Sequence, residues 1–201
     1  MARRGEHSKY EIKAMALAQA RALIEQGGLS SVSARKVAGD IGYTVGSLYM
    51  VFDNLDDLIL HVNASTLDEL YGQLQQNIRE DDAASVTLKK LAHTYIDFAL
   101  ANPNCWNAVF EHNVAGSTQH PEWFQRRVDA MFSLVEQYTS EINANHTQAV
   151  KAARVLWCGV HGICVLYMTN KLHLPDQVEL RVLVEDLVDN YLTGWSKGIE
   201  E

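Results

Sequence analysis

The segment Trp157-Cys158-Gly159-Val160-His161-Gly162-Ile163-Cys164 brings together residue types that could carry out chemistry. His161 lies three residues from each of two cysteines, and thiolates with an imidazole at such spacing can ligate zinc. A cysteine beside a histidine could also act as the nucleophile of a helical enzyme, but no third group marks a lowered thiol pKa. Apolar cysteines and one hydrogen-bonded histidine in a packed helix explain the pattern more simply. The sequence therefore predicts no metal, no cofactor and no catalytic residue.

The same segment contains Gly159 and Gly162, which lie three residues apart and so share one side of a helix. A glycine in a helix interior costs roughly 1 kcal/mol relative to alanine. Two glycines within one turn therefore indicate that another helix approaches closely, or that a small-molecule cleft opens there.

A different chemistry, contact with nucleic acid, is indicated by the residues around position 44. Gly42 can adopt the backbone angles of a tight turn, and Thr44 can cap the helix that follows it. Gly46 and Ser47 keep the front of that helix small enough for close approach to a DNA backbone. Tyr49 carries a phenol that can reach a phosphate oxygen. The pattern predicts a helix-turn-helix whose second helix enters a major groove.

Such a motif needs a helical scaffold, and apolar residues recur at three- and four-residue intervals along most of the chain. Ser8 is a predicted N-cap for the first helix, and Gly27 and Gly28 predict its end. Long strand-like alternation is missing, so the sequence predicts an all-α fold of about nine helices. The predicted helices cover residues 8–27, 34–41, 45–51, 55–78, 85–101, a short stretch from 104, 121–143, 147–171 and 178–197.

Residues 34–52 resemble the signature of the tetracycline-repressor (TetR) family of transcription regulators. They read Ala34-Arg35-Lys36-Val37-Ala38-Gly39-Asp40-Ile41-Gly42-Tyr43-Thr44-Val45-Gly46-Ser47-Leu48-Tyr49-Met50-Val51-Phe52. The resemblance implies a helix-turn-helix DNA-binding domain at residues 1–54 and a helical effector-binding and dimerisation domain at residues 55–201. The segment from Trp157 to Gly162 resembles a Trp-x-Gly-x-His-Gly pattern found in a subset of that family.

The resemblance also implies roles for residues of the motif. Those that would face bases or sugar edges are Thr44, Val45, Gly46, Ser47 and Met50. Those that would contact phosphates are Arg35, Lys36, Tyr49 and Lys9. Because the second helix carries no Arg, Asn or Gln, specificity would rest on backbone, hydroxyl and methyl contacts and on DNA shape.

One position departs from the family pattern. Leu55 stands where the family usually has a lysine that contacts phosphate, so that contact is missing unless Asn54 or helix-terminal N–H groups replace it. Three nearby acids, Asp53, Asp56 and Asp57, would have to face away from DNA.

An effector pocket and a homodimer interface are further implications of the resemblance. The predicted pocket lining combines aromatic rings with a few polar groups and consists of Trp106, Phe110, His112, Trp123, Phe132, Trp157, His161 and Tyr167. His93 and Tyr95 are additional polar candidates. The last two helices carry apolar faces through which two copies would pair, placing the two recognition helices about 34–36 Å apart or a multiple of that.

Charge and cysteine content bear on partners and compartment. The net charge is −8, yet residues 1–52 hold seven Lys/Arg and four acids, whereas the remainder holds ten and twenty-one. A basic head on an acidic body favours a DNA-binding module joined to a domain that does not bind DNA.

Three cysteines in apolar surroundings predict free thiols in a reducing compartment. No signal peptide and no window of about 18 apolar residues is evident, so we expect a cytoplasmic protein without membrane contact.

Together these features predict a DNA-binding transcription regulator, by family default a repressor, that binds a palindromic operator as a dimer. A small, largely apolar effector would release it from DNA. The alternative keeps DNA binding but replaces the small ligand with a protein partner, as in TetR-like proteins that serve chromosome or division control.

Overall fold

The computed structural model describes residues 7–113, 120–175 and 178–197, and within these ranges it contains nine α-helices and no strand. The all-α prediction of about nine helices is therefore confirmed. A 3-10 turn, Leu29–Ser31, follows the first helix. The helices are α1 Lys9–Gly27, α2 Ala34–Asp40, α3 Val45–Leu48, α4 Leu55–Gln76, α5 Ala84–Ala101, α6 Pro103–Glu111, α7 Glu122–Ile142, α8 His146–Met168 and α9 Leu180–Lys197.

Local signals explain the two ends of α1. The Ser8 side chain accepts a hydrogen bond from the Glu11 backbone N–H, and the Ser8 backbone N–H donates to the Glu11 carboxylate at 2.7 Å. This reciprocal capping also lowers the pKa of Glu11. At the other end Gly28 has a φ of +71°, and its N–H donates to the Ile24 carbonyl at 2.8 Å. The predicted start and end of this helix are confirmed.

Other helix ends differ from the prediction by one to three residues. Helix α8 begins at His146 because the side chain of Asn145 accepts a hydrogen bond from the Gln148 N–H at 3.2 Å, whereas the sequence favoured a start at Thr147. Helix α4 ends at Gln76, two residues before the predicted end, and α9 begins at Leu180 rather than 178. None of these differences moves a predicted site residue.

The chain forms two compact units. The first, called the N-terminal unit, comprises residues 1–69 and 102–125, and the second, called the C-terminal unit, comprises residues 70–101 and 126–201. Helix α6 therefore belongs with α1 to α3, although it follows α5 in the chain. Helix α4 contributes residues to both units.

The core of the N-terminal unit is built by α1, α2 and α3 with parts of α4 and α6. Hydrogen bonds reinforce it: the buried Asn63 side chain donates to the Ala108 carbonyl at 3.0 Å, and Asn104 donates to the Glu25 carbonyl at 2.7 Å. Arg21 pairs with Glu25 at 2.8 Å and also with Glu69. The buried apolar residues of this core are Ala16, Ala20, Leu23, Ile24, Val32, Val37, Ala38, Leu48, Phe52, Leu58, Ile59, Val62, Cys105 and Ala108.

The C-terminal unit packs α5, α8 and α9 against one another. Gly159 lies where α8 meets α9, and a Cβ atom placed there would stand 2.6 Å from Cδ2 of Leu187. At Gly162, apart from its chain neighbours and the backbone of its own helix, no described atom lies within 4 Å of the corresponding Cβ position. The two glycines therefore differ: Gly159 allows close packing within the unit, and Gly162 leaves open space beside α8.

Candidate nucleic-acid interface and interior cavity

The turn between α2 and α3 has the geometry that a helix-turn-helix requires. Gly42 adopts a φ of +78°, a backbone conformation that residues with a Cβ rarely adopt. The Tyr43 N–H donates to the Ala38 carbonyl at 2.8 Å and closes the end of α2. In addition, the Tyr43 hydroxyl lies 2.7 Å from Nδ1 of His7, a contact between distant residues that no local sequence signal could reveal.

Helix α3 is capped by Thr44, as predicted. The Thr44 hydroxyl accepts a hydrogen bond from the Ser47 N–H at 3.1 Å and lies 2.9 Å from the Ser47 hydroxyl. The α-helix ends at Leu48 and not at Val51, because the N–H groups of Met50 and Val51 bond to the carbonyls three residues before them. The tightened turn keeps the backbone compact up to the buried ring of Phe52.

The surface formed by α2, α3 and the start of α1 presents the predicted contact residues outward. Leu48 and Phe52 are almost fully buried and fix α3 to the core, whereas Met50 is 64% exposed and Tyr49 is 44% exposed. The exposed or half-buried members of this surface are Lys9, Arg35, Lys36, Thr44, Val45, Gly46, Ser47, Tyr49 and Met50. We call these nine residues the recognition surface.

The three cationic side chains of the recognition surface are exposed. Arg35, Lys36 and Lys9 make no ion pair with a carboxylate in the part of the chain that the structure describes. Their charges are therefore available to an external anion such as a DNA phosphate.

The acids at the start of α4 interact within the N-terminal unit. The Asp57 carboxylate accepts a hydrogen bond from the Asp53 N–H at 3.1 Å and lies 3.7 Å from Nε2 of His61. The Asp56 carboxylate lies 3.0 Å from Nε2 of the buried His112. Asn54 caps this helix by accepting from the Asp57 N–H at 2.8 Å. The carboxylates of Asp56 and Asp57 thus face protein groups.

The C-terminal unit encloses an apolar cavity of about 40 Å³. That volume holds a few water molecules, so a ligand of ordinary size would have to widen it. No charged side chain lines it, and the hydroxyl of Tyr95 and the indole N–H of Trp157 are the polar groups of the lining side chains. The lining residues are Leu74, Leu88, Leu91, Ala92, Tyr95, Met131, Val135, Leu156, Trp157, Val160 and Val188.

Aromatic and polar contacts surround one end of this cavity. The Tyr95 hydroxyl lies 2.7 Å from Nδ1 of His161, and burial lowers the pKa of His161. The Trp157 ring meets the Tyr95 ring edge-on at 4.9 Å between centroids and contacts the Phe132 ring at 5.2 Å. This arrangement favours a neutral imidazole beside an apolar cavity.

Two family profiles match the chain. Residues 16–62 match the bacterial regulatory proteins of the tetR family, and residues 88–191, more than half of the chain, match the tetracyclin repressor-like C-terminal domain. The chain belongs to the TetR family of transcription regulators.

Individual proteins resemble this TetR-family chain in sequence or in fold. The uncharacterized HTH-type transcriptional regulator YobS of Bacillus subtilis (strain 168) is 26% identical over 145 residues, which is 72% of each chain. A protein of unknown function from Rhodococcus sp. RHA1 has a TM-score of 0.74 at 21% identity, covering 95% of this chain and 97% of that one. A TetR protein from Acinetobacter baumannii AYE in complex with minocycline has a TM-score of 0.65 at 18% identity, covering 92% and 96%.

The residues predicted to line an effector pocket fall in both units. Trp157 lines the cavity, and Phe132 and His161 contact its ring. Tyr167 is 40% exposed on α8. The other four lie in the N-terminal unit, where Trp106 and Phe110 contact each other, Trp123 stacks on His61 and His112 meets Asp56. Tyr95, a further polar candidate, lines the cavity.

The cysteine and histidine segment of α8 has little of the character of a reactive site. Cys164 is fully buried, and burial raises the pKa of its thiol to about 11. Its thiol donates to the Met168 sulfur at 3.7 Å. Members of the TetR family are DNA-binding transcription factors and not enzymes. The sequence likewise predicted no catalytic residue.

Helix α8 is also long and apolar enough, by length and composition, to cross a membrane. The expectation that no window reaches this apolarity is therefore wrong. Only about a third of its most apolar window is buried in the described structure. A single helix of this kind is weak evidence for a membrane span.

Proposed function

We propose that this TetR-family regulator is a cytoplasmic homodimeric repressor that binds a palindromic operator and is released by a small, largely apolar effector. The observation that carries the proposal is the recognition surface: the small residues Thr44 to Ser47, exposed or half-buried, lie over the buried Leu48 and Phe52, next to cations that have no described carboxylate partner.

On this proposal the recognition surface divides its work between bases and phosphates. Residues that face base or sugar edges are Thr44, Val45, Gly46, Ser47 and Met50. Residues that bind phosphates are Arg35, Lys36, Lys9 and Tyr49. Side chains this short cannot make bidentate contacts to guanine, so methyl contacts, hydroxyl contacts and DNA shape set the operator sequence.

The proposed dimer forms through α8 and α9. Val155 and Leu166 are 40% and 42% exposed on α8, and Cys158 and Gly162 lie between them at three- and four-residue spacing, so the four positions form one stripe. On α9, Val182 is 47% exposed. An exposed apolar stripe of this length needs a cover. The open space beside Gly162 lets a helix of a second copy approach closely, and the pairing sets the spacing of the two recognition surfaces.

The effector is proposed to enter the cavity of the C-terminal unit. Its uncharged lining selects an uncharged, apolar molecule, and the Tyr95 hydroxyl, beside His161, supplies a polar contact. Each named residue of the Trp-x-Gly-x-His-Gly pattern then has its own role. Trp157 lines the cavity, His161 contacts Tyr95, Gly159 allows α9 to pack closely and Gly162 faces the second copy. This division of roles supports placing the chain in that subset. The relative from Acinetobacter baumannii AYE, in complex with minocycline, is a precedent for small-molecule binding in the family.

The proposed mechanism depends on α4. This helix contributes Leu74 to the cavity lining and Leu58 and Val62 to the core of the N-terminal unit. A ligand that widens the cavity must move its lining, and α4 would carry that movement to the helix-turn-helix. Release from DNA requires that the ligand bind the released form more tightly than the DNA-bound form.

Selection from random duplex DNA tests the DNA part of the proposal. Wild-type protein should enrich a palindromic sequence, and the Lys36→Ala, Tyr49→Ala double variant should lose that enrichment. Lys151→Ala, which changes an exposed lysine of α8, is the control and should select the same sequence as wild type. No enrichment at low salt, where phosphate contacts are strongest, would overturn the proposal.

A thermal-shift screen of apolar compounds tests the effector part. A compound that raises the melting temperature of wild-type protein should fail to do so with Ala92→Leu, because the larger side chain fills the cavity. Ala101→Leu, at an exposed position of the same helix, should respond as wild type does. Equal responses of the two variants would exclude this cavity as the binding site.

A further inference from the structure

A second cleft in the C-terminal unit has a character opposite to that of the apolar cavity. It has a volume of about 340 Å³, within the range of small-molecule sites. Every residue that lines it is polar or charged. These residues are Gln76, Asn77, Arg79, Lys90, His93, Thr94, Asp97 and Arg181, from the end of α4, the connector after it, α5 and α9.

Positive charge exceeds negative charge in the cleft lining. Arg79, Lys90 and Arg181 are cations, whereas Asp97 is the one carboxylate among the lining residues. Arg79 is exposed and makes no ion pair with a carboxylate of the described residues. The C-terminal region is otherwise acidic, but the guanidinium of Arg79 lies in a concave polar surface with no carboxylate to balance its charge. Such a group attracts anions locally.

The other two cations already have carboxylate partners, and the pair that Arg181 makes is the more exposed one. Arg181 pairs with Asp97, but the two side chains are 53% and 48% exposed. Exposed ion pairs contribute little to stability, so Arg181 can exchange this partner for a ligand at small cost. Lys90 pairs with Asp82, which is not among the lining residues.

His93 provides an unused hydrogen-bonding atom at the same place. Its Nε2 atom is buried and makes no hydrogen bond, although it lies 3.2 Å from an oxygen of Glu185, because the geometry of that contact is unfavourable. A buried nitrogen without a hydrogen bond is uncommon in folded proteins. Because this atom is buried, a ligand oxygen in the cleft would give it a partner only after the His93 side chain turns toward the cleft.

We infer that this cleft binds a small dianion, either a phosphate monoester or a dicarboxylate. The planar guanidinium groups of Arg79 and Arg181 can each donate two parallel hydrogen bonds to such a group. The site differs from the apolar cavity in lining and in ligand chemistry, so it would give the regulator a second input. The inference does not depend on the proposed effector or on DNA binding.

Isothermal titration calorimetry with inorganic phosphate and with malonate, at constant ionic strength, tests the inference. The titrations use the Lys36→Ala, Tyr49→Ala protein, so that two of the four proposed phosphate-binding residues of the recognition surface do not contribute. We expect saturable binding of at least one probe with one site per chain. Arg79→Gln in the same background should weaken it about tenfold or more, as expected for the loss of a charge-assisted contact.

Lys151→Gln is the matched control, because it removes one positive charge from an exposed position of α8. It should bind the probe as its parent does, and circular dichroism should show that both variants are folded. Arg79 also lies beyond the negative end of the α4 dipole, so a merely structural role would lower the melting temperature without changing anion affinity. That result, or no saturable binding of either probe, overturns the inference.

Discussion

The hydroxyl of Tyr95 lies 2.7 Å from Nδ1 of His161 and joins α5 to α8 beside the apolar cavity. Tyr95 is almost completely buried, so its hydroxyl depends on protein groups for hydrogen bonds. The pair therefore combines a structural contact with the polar group that an apolar ligand would meet.

Tyr95→Phe should lower the stability of the protein, because it removes the hydroxyl and keeps the ring. We expect a loss of about 1–2 kcal/mol, which corresponds to a fall of about 2–8 °C in melting temperature. Tyr10→Phe is the control, since Tyr10 is 83% exposed, and it should melt as wild type does. Equal melting temperatures for the two variants would show that the Tyr95 hydroxyl contributes nothing.

His161 should make stability depend on pH below its ordinary pKa of 6.5, because burial lowers the pKa in the folded state. Between the lowered pKa and 6.5 the unfolded chain binds more protons than the folded chain. The free energy of unfolding should therefore fall as pH is reduced through this window, and be unaffected by His161 above it. Urea titrations of wild type and His161→Gln at pH 7.5 and 5.5 measure the effect.

His161→Gln should lose less stability than wild type between those two pH values, since the remaining histidines titrate in both proteins. An identical loss in the two proteins would contradict the lowered pKa.

Gly42 and Gly46 should respond differently to alanine. Gly42→Ala forces a residue with a Cβ into a positive φ and should cost about 1–2 kcal/mol of stability. Gly46→Ala meets only the Thr44 hydroxyl, at 3.7 Å, and should leave the fold intact. Because Gly46 belongs to the recognition surface, its variant should nevertheless bind operator DNA more weakly. Thermal melting and fluorescence anisotropy with the selected operator distinguish the two effects; unchanged operator affinity in Gly46→Ala would remove Gly46 from the interface.

Gly162→Arg should produce a folded monomer. The Cβ atom of the new side chain enters the open space beside α8, and the long charged side chain should block a second copy. Sedimentation velocity should show the loss of dimer, and operator affinity should fall because each half-site is then bound alone. Gly72→Arg is a matched control in α4, where no described atom lies within 4 Å of the added Cβ. A dimer that persists in Gly162→Arg would rule out this face.

The three thiols should react with iodoacetamide in a defined order. Cys158 is exposed and should react first, whereas Cys105 and Cys164 are buried with raised thiol pKa values and should react only on unfolding. Cys158 lies on the proposed dimer stripe, so it should react faster in Gly162→Arg than in wild type. Mass spectrometry over time measures the three rates, and modification of Cys164 at the same rate as Cys158 would contradict the buried environment of α8.

Features controlled by residues within about four positions of each other could be predicted from the sequence. The capping of α1 by Ser8, the turn at Gly42 and the cap at Thr44 all depend on local hydrogen bonds and backbone angles. The end of α3 was harder to predict from the sequence, because the tightened turn after Leu48 accompanies the burial of Phe52. That burial takes place in a core assembled from distant segments.

The residues that line the cavity could not be predicted from the sequence alone. Spacing indicates that a ring such as Trp106 points inward, but it does not say which compact unit that ring joins. Helix α6 packs with α1, so Trp106 and Phe110 belong to the N-terminal unit although they follow α5. Most of the cavity lining consists of ordinary aliphatic residues such as Leu88 and Val160, which carry no signal apart from burial.

Gly159 and Gly162 stand one turn apart on α8, yet one contacts Leu187 of its own chain and the other faces open space. If the proposed dimer forms through this face, substitutions at the first position act on the folding of a single subunit, and substitutions at the second act on the choice of partner. When a bacterial gene of this kind duplicates, a change at position 162 can separate the two products into independent homodimers while the fold of each remains intact.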